Sequence, residues 1–111
     1  MNILFICSRN QWRSPTGELV YKKTPGVEVR SAGTSPRARR TVSAADIKWA
    51  DLIFVMEQKH KDRIRAAFPG PTRYAKIHVL DIPDDYNYGD PELMELIKAS
   101  TTHLILPHIG P

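Results

Sequence analysis

Two short apolar runs, Ile3-Leu4-Phe5-Ile6 and Leu52-Ile53-Phe54-Val55-Met56, leave this chain few ways to fold. Neither is long enough for a stable helix and neither alternates with polar residues, so each reads as a strand buried on both faces. Strands of that kind belong to parallel sheets, whose crossovers are usually helices. The intervening sequence supplies them. Ser14 as a cap and Pro15 at the first helical position open a helix predicted to reach Lys23. Thr24-Pro25-Gly26 ends it, Val27-Glu28-Val29-Arg30 alternates as a strand, and Ser31-Ala32-Gly33-Thr34-Ser35-Pro36 reads as a loop. A second helix starts near Ser43 and closes at Ala50, with Trp49 assigned to the core, and a third covers Gln58 to Phe68 before Pro69-Gly70-Pro71. Lys76-Ile77-His78-Val79-Leu80 is the last strand candidate, Asp81 to Gly89 a polar loop, and Asp90 the cap of a final helix carrying Leu93, Leu96 and Ile97. The tail from Leu106 to Pro111 reads as irregular. The expectation is an α/β protein: a single doubly wound, three-layer domain over residues 1–111, with a four-stranded parallel sheet and helices on both faces. In such sheets ligands bind beyond the carboxyl ends of the strands.

Composition narrows the class further. At 111 residues there is room for one core, and 41% apolar with 25% charged residues is ordinary globular usage rather than disorder or coiled coil. No apolar run approaches the ~18 residues of a spanning helix, and Met1-Asn2-Ile3-Leu4-Phe5-Ile6 lacks the basic lead of a secretion signal, so a cytoplasmic location away from membrane is expected. The net charge of +4 is unevenly placed: Arg37, Arg39 and Arg40 form one cluster, Lys59, Lys61, Arg63 and Arg65 another, while Asp81, Asp84, Asp85, Asp90, Glu92 and Glu95 make the last third acidic. That asymmetry suits a small anionic ligand beside an acidic loop better than nucleic acid, which is not expected as a partner.

The chemistry concentrates at the end of the first strand. Cys7, the one cysteine, stands there, and Cys-x5-Arg-Ser spans the turn into the helix through Ser8, Arg9, Asn10, Gln11, Trp12, Arg13 and Ser14. A loop of this length can wrap its N–H groups around a tetrahedral oxyanion, with the helix start adding positive potential and the Arg13 fork taking two oxygens. The same field favours thiolate over thiol, arming Cys7 without a histidine base. Ser14 can donate its hydroxyl to that sulfur, and Asn10 tolerates the left-handed backbone a tight anion loop needs.

From Ile3 to Glu18 the chain resembles the phosphate loop of the low-molecular-weight protein tyrosine phosphatases, written V-L-F-V-C-x-G-N-x-C-R-S-P-x-A-E. The likeness continues through Ser31-Ala32-Gly33-Thr34, similar to the family's S-A-G-T, and Asp51-Leu52-Ile53-Phe54-Val55-Met56, similar to its D-x-I-x-x-M, and is stronger to a shorter branch of the family than to full-length members. The resemblance implies Cys7 as nucleophile, Arg13 as phosphate clamp, Ser14 as thiolate partner, and Asn10 as a strut tied to Ser14 and Ser31. It also implies an acid from an Asp-Pro-Tyr-Tyr-like loop. Here Pro83-Asp84-Asp85-Tyr86 is similar, and Asp84 is chosen over Asp85 and Asp81, with Tyr86 and Trp12 as possible aromatic walls. The implied reaction is hydrolysis of phosphotyrosine or another aryl or small phosphate monoester, from a protein or a small molecule, through a cysteinyl-phosphate. No cofactor or metal is implied, and phosphate, sulfate and vanadate are the expected ligands.

The departures are specific. Arg9 replaces a glycine, which would either strain a backbone at positive φ or add a cation above the pocket. Trp12 replaces the family's second loop cysteine, so Cys7 has no partner for a protective disulfide, and a disulfide-relay arsenate reductase is disfavoured. Gln11 stands where an apolar residue lines the family's pocket. His60, His78, His103 and His108 show no metal-site spacing and are read as surface or strand histidines, and Met56-Glu57 follows the third strand either as its plain end or as a border of the site. A second class of function stays open beside the enzyme: a phosphate-binding regulatory module on the same fold that has lost turnover.

Overall fold

The computed structural model describes residues 1–109. Four strands, β1 (Asn2–Cys7), β2 (Glu28–Gly33), β3 (Leu52–Val55) and β4 (Ile77–Val79), form one parallel sheet in the order β2-β1-β3-β4. Five helices accompany them: α1 (Arg13–Tyr21), α2 (Ala44–Trp49), α3 (Gln58–Ala67), the single turn α4 (Pro69–Thr72) and α5 (Pro91–Ile109). The doubly wound α/β expectation is met. Because successive strand residues face opposite ways, β1 feeds two cores. Ile3, Phe5 and Cys7 pack with Tyr21, Phe54, Leu93, Ile97 and Ile105 under α1 and α5, while Leu4 and Ile6 pack with Ala32, Ile47, Ile53, Val55 and Ile64 under α2 and α3. Phe5 stacks on both Tyr21 and Phe54, and full burial of each such side chain contributes roughly 1.5–3 kcal/mol. Trp49 joins the second core from its edge, with the Arg30 guanidinium 4.0 Å from its ring centre.

Several boundaries differ from the expectation: α1 closes at Tyr21 rather than Lys23 and β4 is trimmed to Ile77–Val79, and three larger points stand out. β2 runs on through Ser31, Ala32 and Gly33, which read as a loop, because each finds a register partner on β1: Phe5, Ile6 and Cys7. α1 begins at Arg13 without a side-chain cap, and Ser14 lies inside its first turn with the hydroxyl turned to Cys7. α5 continues to Ile109 rather than fraying at Leu106, since Leu104, Ile105 and Ile109 all reach the α1-side core. Pro107 falls in its last turn, where it leaves the His103 carbonyl without an intrahelical donor. Of the tail, Gly110 and Pro111 lie outside the described residues. One cap follows the sequence reading, Asp90 Oδ1 accepting from Glu92 N at 2.8 Å; Ser43, near which the second helix is expected to start, proves to cap α2 through a reciprocal box with Asp46. No helix among the described residues is long and apolar enough to cross a membrane.

Candidate active site

The sheet ends where β1 hands the chain to α1, and the loop between them is held from outside. Thr34 N donates to Cys7 O, Ser35 N to Ser8 O and Arg39 N to Arg9 O, at 2.9, 2.9 and 3.1 Å. Peptide planes carry N–H opposite to C=O, so carbonyls pulled outward turn the following amides inward. Among the described residues the amides of Ser8 to Trp12 find no protein acceptor, and they surround a cleft of about 190 Å³ lined by Cys7, Ser8, Arg9, Gln11, Trp12, Arg13 and Asp84. Gly33 makes this possible: a Cβ there would lie 2.5 Å from Ser8 O and 2.6 Å from Ala38 Cβ.

Beneath the cleft, buried side chains fix the floor. Asn10 sits at φ 57°, the left-handed region that its short polar side chain tolerates, and its Nδ2 donates to Ser14 Oγ at 3.0 Å and Ser31 Oγ at 2.9 Å. The Ser31 hydroxyl in turn donates to Glu18 Oε1 at 2.6 Å. Ser14 Oγ lies 3.0 Å from Cys7 Sγ; against a thiolate only the hydroxyl can donate. Arg9 is exposed and does not adopt positive φ, which among non-glycine residues belongs to Asn10 and Asp81, so the glycine replacement carries no backbone strain.

Arg13 is buried and divided in function. Its Nη1 donates to Glu57 at 2.6 Å and to Ile82 O at 2.8 Å, which uses both of that nitrogen's protons and leaves Nε and Nη2 for a ligand. Nε faces Asp84 Oδ1 at 3.5 Å. Of the three aspartates weighed for the acid, Asp84 is the one that lines the cleft; its carboxylate stands on a half-exposed loop.

Three placements correct or complete the sequence reading. Tyr86 does not line the cleft but packs half-buried against the α1-side core, drawn there by the apolar surface under its ring. Glu57 belongs to the site through Arg13, whose hydrogen bond and charge hold its carboxyl below the usual range. His60 is neither a surface nor a strand histidine: it is fully buried on the first turn of α3, accepts from Glu57 N at Nδ1 (3.0 Å) and meets Ser8 Oγ at Nε2 (2.8 Å). Burial, reinforced by Arg13, pushes its pKa down to about 4. The signals available were position after a strand's carboxyl end for Glu57 and the i+3 helical step for His60. Among the described residues no three His, Cys, Asp or Glu side chains converge as a metal-binding group.

In fold and in the sequence of this loop the chain is similar to the low-molecular-weight protein tyrosine phosphatases. No protein-family model matches the chain. The protein-arginine-phosphatase of Geobacillus stearothermophilus is 33% identical over 91 aligned residues, and the match takes in 60% of this chain and 62% of that protein, so the chain spans less than two thirds of this relative's length. Among solved structures, the YwlE arginine phosphatase from the same organism superposes with a TM-score of 0.69 at 25% identity, covering 96% of each chain. The tyrosine phosphatase Wzb of Escherichia coli K30, solved with phosphate, superposes at 0.73 with 24% identity over 93% of this chain and 94% of its own, a likeness of fold.

Proposed function

We propose that this protein is a cysteine-dependent phosphatase. The observation that carries the reading is a buried sulfur 3.0 Å from a hydroxyl on the floor of an amide-lined cleft, with the free edge of Arg13 facing Asp84 at 3.5 Å. Charge-assisted donors aimed at one small volume suit the three non-bridging oxygens of a phosphoryl group. Cys7 thiolate attacks phosphorus in line, the bond to the leaving oxygen breaks, and the Asp84 carboxyl gives that oxygen its proton. The Asp84 carboxylate then takes a proton from water, whose oxygen attacks the cysteinyl-phosphate. The S–P bond breaks and the sulfur returns as thiolate to the Ser14 hydroxyl.

The substrate reading is an aryl phosphate, phosphotyrosine foremost, supported by the indole of Trp12 on the cleft wall. Phosphoarginine is the second reading, favoured by the name of the curated relative. Hydrolysis of an aryl phosphate and of phosphoarginine, each followed from about pH 4.5 to 8, tests both. Cys7→Ser is expected to abolish turnover and Asp84→Ala to lower kcat by ~10²–10³-fold, the usual worth of a positioned acid. Wild type that is folded and binds phosphate or vanadate without turning over either substrate would make it an anion-binding module instead.

A further inference from the structure

His60 is a buried imidazole to which the reaction just described assigns no step, and its two nitrogens have different duties. The Glu57 amide can only donate, so Nδ1 must be the unprotonated nitrogen and Nε2 must carry the hydrogen. Nε2–H therefore donates to Ser8 Oγ at 2.8 Å. Ser8 Oγ, having accepted that bond, turns its own hydrogen elsewhere, and Ser8 lines the cleft beside Cys7. A serine hydroxyl left to itself rotates freely and is as ready to accept as to donate. Against an oxyanion only donation is useful.

We propose that His60 is a positioning residue that commits the Ser8 hydroxyl to donate into the anion cleft, adding a side-chain donor to the amides and Arg13. The arrangement is static and directional. The backbone of one strand end sets a tautomer, the tautomer sets a hydroxyl rotor, and the rotor presents a proton where negative charge collects. The low pKa agrees with this, since a neutral imidazole is retained through the whole range in which a phosphatase of this kind would work.

The inference rests on the phosphatase reading for its catalytic consequence but not for its binding consequence, and the test separates them. Asparagine at position 60 can imitate Nδ1, keeping the acceptor for the Glu57 amide, but is too short to reach Ser8. Glutamine can imitate Nε2, keeping the donor. The measurements are the affinity for inorganic phosphate, kcat and KM for an aryl phosphate, and the melting temperature, for His60→Asn, His60→Gln, Ser8→Ala and the double variant His60→Asn with Ser8→Ala. One lost donor to a charged ligand corresponds to roughly a 10-fold or greater loss. His60→Asn and Ser8→Ala should each weaken phosphate by about that factor and lower kcat/KM alike, while His60→Gln stays within about 3-fold of wild type. In the Ser8→Ala background His60→Asn should change nothing further. Wild-type phosphate affinity in His60→Asn, or an undiminished effect of that substitution once Ser8 is alanine, would overturn the proposal. Should His60→Asn fail to fold, Ser8→Ala and His60→Gln decide: unchanged phosphate affinity in Ser8→Ala overturns it equally. A wild type that binds phosphate but hydrolyses nothing removes the phosphatase reading and leaves the affinity comparison intact.

Discussion

Asn10 does two things at one position, and the two can be pulled apart. It takes a left-handed backbone that costs most residues ~1 kcal/mol or more, and its amide braces Ser14 and Ser31. Asn10→Gly keeps the backbone and loses the brace, whereas Asn10→Ala loses both. We expect Asn10→Gly to lower kcat/KM by ~10-fold or more through a wandering Ser14, and Asn10→Ala to lower stability by a further ~1 kcal/mol, read by denaturant titration. Equal stability of the two variants would deny the backbone part. The Glu57 carboxyl carries a prediction of its own. Its folded pKa lies below 4.5 because Arg13 holds it ionised, so the pair's contribution is complete above about pH 4.5 and is lost only as pH falls through the lower folded value. Any acid limb of activity that appears near pH 5 must therefore come from another group, and Glu57→Gln should leave that limb where it stands.

At the scale of elements, the β2 terminus and the loop from β1 to α1 are one packing problem. Gly33 lets the strand touch Ser8 O, and nothing larger fits without moving either the loop or Ala38. Gly33→Ala is expected to cost ~1–3 kcal/mol and to depress kcat far more than it alters the circular dichroism spectrum; a fully active Gly33→Ala would show that the loop tolerates displacement. This contact also marks what the amino-acid order revealed and what it hid. The buried strands β1 and β3 announce themselves as unbroken apolar runs, and Asp90 as a cap, since those signals are local. Ser31-Ala32-Gly33 has a turn's composition and becomes strand only because β1 offers it partners. In the loop, the tolerance of Asn10 for positive φ is likewise written in its own side chain. Glu57 and His60 meet the loop across 44 and 52 residues, a closeness produced by the placement of β3 beside β1 and not by any spacing along the chain. Tyr86 shows the reverse error, a ring assigned to the cleft from its motif and taken instead by the core.

For the molecule as a whole, the buried imidazole ties global stability to pH. Unfolded, His60 binds its proton near 6.5; folded, it resists until about 4. Between those values the unfolded chain gains a proton that the folded one refuses, so stability falls as pH drops through this window and levels off below it. The loss is at most ~3.5 kcal/mol at ~1.4 kcal/mol per pH unit. Melting temperatures of wild type and His60→Gln from about pH 7.5 to 4 check this: the wild-type decline should be steeper by a clear margin, and parallel curves would assign the pH dependence to other groups. One last consequence follows from the sulfur at the end of β1. With one cysteine in 111 residues, and that one facing the cleft, the protein is its own stoichiometric probe. Every glutathionylated or alkylated thiol that intact-mass spectrometry detects is a molecule whose cleft was open when the reagent arrived. The occupancy of the site can therefore be counted on a balance of masses, in any mixture, without a substrate being known.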